Sequence, residues 1–197
     1  MTCSKNDPDS AEKLVSCLEQ GKVAVVPTDT VYGFSGIVDM KGSARYKTDG
    51  KIRSIKGREE NKPLIQLISE PEKIKILTDD HVPDFLLEKW PGPLTVIVNV
   101  KKTSPYEDDF KTVAVRCPGD PWLRKVIGML GSPIFSTSVN RSGFPVLECI
   151  SDIEKEFSGD ADLIVSDGDK KGAVPSTIVS VVDGEVKILR QGSVEIF

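Results

Sequence analysis

The chain has 197 residues, 39% of them hydrophobic and 28% charged, and a net charge of −4 at neutral pH. That length suits one compact domain spanning 1–197 with a sizeable core, and the acidic balance argues against a general nucleic-acid coat. No stretch is long and apolar enough to cross a bilayer, and the polar N-terminus MTCSKNDPDS has neither signal- nor transit-peptide character, so a cytoplasmic protein without membrane contact is expected. Cys3, Cys17, Cys117 and Cys149 form no Cys-x-x-Cys pair and share the chain with a single histidine, His81, so neither a zinc site nor a disulfide scaffold is expected.

In chain order, Asp9 or Ser10 can cap a first helix that carries Ala11, Leu14, Val15 and Leu18 on one face and ends at Gly21. Lys22–Val26 reads as a buried strand running into Pro27. Residues 40–58 show little apolar rhythm and read as loop plus a short helix. Leu64–Ile68 is a strand, Pro71–Leu77 and Pro83–Trp90 are short helices, and Pro91-Gly92-Pro93 breaks the second. Leu94–Val100 and Thr112–Arg116 are strands, Pro121–Leu130 a helix, and Ile134–Ser136 a short strand. Ser151-Asp152-Ile153-Glu154 has the form of a capping box opening a helix. Leu163–Val165 is a strand, and Thr177–Val182 and Glu185–Leu189 flank Asp183-Gly184 as a hairpin. Alternating helices and strands with a late hairpin predict an α/β fold with a mixed sheet.

The chain holds no P-loop, no G-x-G-x-x-G and no G-x-S-x-G elbow. His81, in Asp79-Asp80-His81-Val82-Pro83, reads as a turn residue, which disfavours a Ser-His-Asp hydrolase. What remains is a set of strand-end loops rich in hydroxyls and bases. Such loops converge at ligand sites in open α/β sheets, where hydroxyls, backbone N–H groups and cations hold phosphate oxygens. Between Lys41 and Lys62 eight bases face three acids, a local +5 that leaves −9 on the rest. The stretch reads either as a solvated helix face or as a phosphate wall reaching out to RNA.

Seven segments in order resemble the YrdC family of threonylcarbamoyl-adenylate synthases: PTDTVYG at 27–33, KGR at 56–58 with KPL at 62–64, PGPLT at 91–95, VAVRCP at 113–118, STSVNRSG at 136–143, PSTIV at 175–179 and RQG at 190–192. The resemblance implies a twisted mixed sheet with flanking helices around a deep, positively charged cavity. It implies synthesis of threonylcarbamoyl-adenylate from L-threonine, bicarbonate and ATP, with Mg²⁺ accompanying the triphosphate and no protein metal site. Partner proteins then move the threonylcarbamoyl group to a tRNA adenosine beside the anticodon. By motif, Lys56 and Arg58 would face the ATP phosphates and supply catalytic charge. Ser136, Ser138, Asn140 and Arg190 would bind ATP, and Thr30, Arg116, Thr137 and Ser176 would bind threonine. Lys56 and Arg58 follow a polar loop and are expected to point into a solvent-filled cavity, so that removing either leaves no core void.

Two departures stand out. The stretch between Gly33 and Lys56 is several residues longer than is usual in the family, so Arg45, Lys47 and Arg53 receive no role from it. Many relatives carry a histidine shortly after the Pro-Leu, where this chain reads Leu64-Ile65-Gln66-Leu67. The alternative reading is an RNA-binding module without catalysis. A carbamoyl-transfer unit of a larger maturation enzyme would need appended domains, for which 197 residues leave no room.

Overall fold

The computed structural model describes residues 1–43, 45–57, 63–106 and 110–197. Ten strands among them join one sheet: β1 (Thr2–Ser4), β2 (Ala24–Val26), β3 (Gly33–Ile37), β4 (Ile65–Leu67), β5 (Leu94–Asn99), β6 (Thr112–Arg116), β7 (Ile134–Ser138), β8 (Leu163–Ser166), β9 (Thr177–Ser180) and β10 (Lys187–Arg190). Their order is β1-β8-β2-β3-β7-β4-β6-β5-β9-β10. The pairs β1/β8, β2/β8, β4/β6 and β5/β9 are parallel and the others antiparallel, so the sheet is mixed.

Helix α1 (Ser10–Glu19) buries Ala11, Leu14, Cys17 and Leu18 as one stripe. It lies beside α5 (Pro121–Leu130), whose start is fixed by Asp120 accepting the N–H groups of Trp122 and Leu123. Together they cover Ala24, Val26, Leu67, Ile134, Leu163 and Val165. On the opposite face, α2 (Thr48–Lys56) and α6 (Ile150–Phe157) bring Ile52, Ile153 and Phe157 onto Val25, Phe34 and Ile164. Phe34 and Phe157 meet edge to face at 4.9 Å. Farther along that face, α3 (Ile74–Leu77), α4 (Asp84–Leu87) and Trp90 seal Val96, Val98, Val113, Val115 and Val179.

Strand pairing fixes which side chains share a face. Ile65 stands opposite both Ala114 and Ser136, Leu67 opposite Arg116, and Ser138 opposite Gly33. With a period of two, Ile65, Leu67, Ala114, Arg116, Ser136 and Ser138 therefore share the face that α1 and α5 cover. Those helices cover it from β1 to β4 and leave the β6–β5–β9 side open.

Several sequence expectations shift here. Ser151 lies inside α6 rather than capping it; Cys149 takes the cap position with no side-chain cap bond, and Asp169 Oδ1 accepts the Ile150 N–H at 3.0 Å instead. Asp9 precedes α1 but pairs with Lys13 at 2.8 Å instead of capping the helix. The hairpin turn holds, with Gly184 at φ 79° and β9 antiparallel to β10. Among the described residues no helix is long and apolar enough to cross a membrane. His81 is exposed.

Candidate active site

On the uncovered side of the sheet lies a cavity of about 400 Å³, within the ~300–1,000 Å³ typical of small-molecule sites. Thr30, Arg116, Ser136, Thr137, Ser138, Ser176 and Arg190 all border it. Seven of the sequence-predicted site residues, drawn from five separate segments, thus converge on one space. Gly33 leaves room for one of these hydroxyls: a Cβ there would stand 2.7 Å from Ser136 Oγ, so a side chain at 33 would force that hydroxyl to turn.

Arg116 ends β6 with its guanidinium buried. Its Nε donates to the Gly92 carbonyl at 3.1 Å, Nη1 to Thr30 Oγ1 at 2.9 Å and Nη2 to Asp29 Oδ1 at 2.5 Å. Thr30 is in turn held by Thr28, whose Oγ1 accepts the Thr30 N–H at 3.0 Å and lies 2.9 Å from Thr30 Oγ1. Three of the five guanidinium N–H groups are taken by Gly92, Thr30 and Asp29, and two have no partner among the described residues. Asp29 and Gly92 escaped the sequence reading, because nothing in PTDT or PGP marks which atoms turn toward an arginine on another strand.

Arg190 approaches from β10. Its Nε and Nη2 donate to the Ser176 carbonyl at 3.0 and 2.8 Å, and Nη2 also reaches Ser176 Oγ at 3.2 Å. Burial lowers the pKa of its guanidinium, and the nearby charge of Arg116 lowers it further.

Lys56 needs correction. It ends α2 and is 3% exposed, not solvent-facing. Its ammonium donates to the carbonyl of Ser138, to the Asn140 carbonyl at 3.0 Å and to Asn140 Oδ1 at 2.8 Å. Its own carbonyl accepts the Ser142 N–H at 2.7 Å. Asn140 is likewise engaged in the turn: Oδ1 accepts from Ser138 Oγ at 2.8 Å, and Nδ2 donates to the carbonyls of Arg141 and Phe144. Neither residue borders the cavity. Thr137 borders it, but pairs with Phe34 and so takes the strand position opposite to Ser136 and Ser138. Strand alternation within Ser136-Thr137-Ser138 allows two of the three hydroxyls, not all three, to share a face. Arg58 and Lys62 lie outside the described residues.

Against known proteins, the Sua5/YciO/YrdC family model, described as telomere recombination, matches residues 16–192. A threonylcarbamoyl-AMP synthase of Bacillus subtilis is 32% identical over 97% of this chain and 55% of its own length. One from Photobacterium profundum is 28% identical over 93% of this chain and 100% of its own. The crystal structure of Pyrococcus abyssi Sua5 complexed with L-threonine superposes with a TM-score of 0.80 and 28% identity, over 92% of this chain and 54% of that one. The chain thus spans about half the length of the Bacillus and Pyrococcus proteins and matches the Photobacterium one end to end. With the family model covering nearly the whole sequence and its motifs lining one cavity, the chain belongs to the Sua5/YciO/YrdC family.

Proposed function

We propose that this chain synthesises L-threonylcarbamoyl-adenylate from L-threonine, bicarbonate and ATP, releasing pyrophosphate. The observation that carries the reading is the convergence of the buried Arg116, the more exposed Arg190 and the hydroxyls of Ser136, Ser138 and Ser176 on one cavity. Similarity to synthases of this reaction, and to a relative crystallised with L-threonine, supports it.

The two uncommitted N–H groups of Arg116 would pair with the threonine carboxylate, and Thr30 and Ser176 would offer small polar groups nearby. Arg190, Ser136 and Ser138 would face ATP. The threonine amine bonds to carbon dioxide and gives up a proton to solvent, or displaces water from bicarbonate, to form a carbamate. A carbamate oxygen then attacks the α-phosphorus, and the bond to pyrophosphate breaks. The chain's own part in this is positioning and neutralisation of developing charge. Among the described residues the charged side chains that border the cavity are those of Arg116 and Arg190, so Mg²⁺ would enter on the triphosphate and be held by its oxygens and water. Lys56 would support the Ser138–Asn140 turn instead of touching phosphate. Partner proteins would carry the threonylcarbamoyl group onward to tRNA. A product assay decides: pyrophosphate and adenylate should appear only with threonine and bicarbonate both present, and equal release without threonine removes the assignment.

The Arg190-Gln191-Gly192 segment has a steric requirement of its own. A Cβ on Gly192 would stand 2.3 Å from the Pro175 carbonyl oxygen and 2.5 Å from the Thr177 nitrogen. Gly192→Ala is therefore expected to cost about 1–3 kcal/mol through overpacking. Because the strain falls beside Ser176, the variant should also weaken ATP use. Thermal melting together with ATP kinetics checks this, and a variant that melts and turns over like the parent would show that the segment relaxes freely.

A further inference from the structure

The segment Pro91–Thr95 does not border the cavity, yet both cavity arginines rest on it. The Gly92 carbonyl accepts from Arg116 Nε at 3.1 Å. Three residues on, Thr95 Oγ1 lies 2.8 Å from Ser176 Oγ, with both side chains buried, and Ser176 holds Arg190 through its carbonyl and its hydroxyl. The segment is itself fixed at several points. The Gly92 N–H donates to the Cys117 carbonyl at 2.9 Å, the Trp90 indole N–H to the Leu94 carbonyl at 2.6 Å, and the Thr177 N–H to the Pro93 carbonyl at 3.0 Å. Thr95 pairs with Ile178 in the parallel β5/β9 ladder, so strand register sets where its hydroxyl stands.

A serine hydroxyl rotates to suit its partners, with one proton to give and two lone pairs to offer. Ser176 Oγ accepts a hydrogen bond from Arg190 Nη2, and its contact with Thr95 Oγ1 fixes its orientation. Without Thr95 Oγ1 the Ser176 hydroxyl is free to turn away, and the guanidinium loses that anchor. We infer that Thr95 is a positioning residue: acting through Ser176 it fixes the Arg190 guanidinium, so that one segment, Pro91–Thr95, sets both cavity arginines. The inference rests on the reading that Arg190 faces ATP.

Thr95→Val removes the hydroxyl at nearly constant volume, and Thr95→Ser keeps it. Losing an anchor on a charged donor should raise the ATP KM about tenfold in Thr95→Val, whereas Thr95→Ser should stay within about twofold of the parent, since the hydrogen bond survives. The two links act in series, so Thr95→Val added to Ser176→Ala should change nothing further. Thr95→Ala repeats the measurement without crowding if the valine variant melts early. A threonine that merely packs would shift melting and leave the ATP KM alone. Arg190→Ala separates the two levels of the argument. If it leaves the ATP KM unchanged, the reading of Arg190 falls and the inference with it. If it raises the KM while Thr95→Val does not, or if Thr95→Val and Ser176→Ala add, the positioning role alone is overturned.

Discussion

Arg116→Lys is expected to raise the threonine KM about a hundredfold, a loss of about 2.7 kcal/mol, while ATP binding changes little. The substitution keeps a positive charge and removes the planar fork. In the parent, Asp29, Thr30 and Gly92 each take one N–H of the guanidinium, which locks its plane at the border of the cavity. An ammonium on a longer flexible stem cannot satisfy three acceptors at those separate positions and still present two parallel donors to a carboxylate. Hydrogen bonds to charged groups contribute about 1.5–3 kcal/mol each, so losing one member of the fork and the orientation of the other accounts for the expected factor. Arg116 is buried and its change will also lower stability, so the diagnostic quantity is the split between substrates. Steady-state kinetics with threonine and ATP varied in turn gives that split. A threonine KM that stays put, or one that rises in step with the ATP KM, would mean that Arg116 holds up the cavity wall without contacting the amino acid.

The parts of the fold that were legible in sequence are those where one local signal dominates. Thr112–Arg116 and Pro121–Leu130 appear with the expected bounds, because one is built on the apolar core Val113-Ala114-Val115 and the other starts on an Asp-Pro cap and ends at Gly131, φ 70°. β3 was not legible. Gly33-Phe34-Ser35-Gly36-Ile37 carries two glycines that weaken any strand signal, yet those glycines are what the tertiary structure demands, since a Cβ on Gly36 would meet Thr48 Cβ at 2.6 Å. β1 was hidden for a different reason: three residues long, it exists only because β8 offers a parallel edge. The site shows the same divide. The motifs named the segments that meet, and the cavity collects them. They did not say which side chains meet one another. Asp29 and Arg116 are 87 residues apart in sequence, and a motif has no means of recording that one serves the other. Nor does a lysine at a helix end declare whether it turns to solvent or inward. At Lys56, the carbonyls of Ser138 and Asn140 decide this, and they arrive from a distant strand.

That inward turn makes the consequence of Lys56→Ala large and of a particular kind. The ammonium sits 97% buried against three acceptors of the Ser138–Asn140 turn and 5.7 Å from the centre of the Phe34 ring. Alanine deletes the donors and leaves the acceptors enclosed, each at about 1–3 kcal/mol if no water replaces the lysine, and it also vacates the space of the aliphatic stem. A total loss of at least about 3 kcal/mol is expected, which for a chain of this size lowers Tm by about 6–12 °C or more. Activity should fall through kcat, because Ser138 borders the cavity and its carbonyl loses its anchor. Lys56→Met, which refills the stem volume without restoring the donors, should recover part of the stability and little of the activity. A lysine that contacted phosphate from a solvent-filled cavity would behave in the opposite way, with an unchanged Tm and an ATP KM raised about tenfold or more. Melting curves and ATP kinetics on Lys56→Ala and Lys56→Met therefore distinguish the two roles, and an unshifted Tm with a raised ATP KM would return Lys56 to the phosphates.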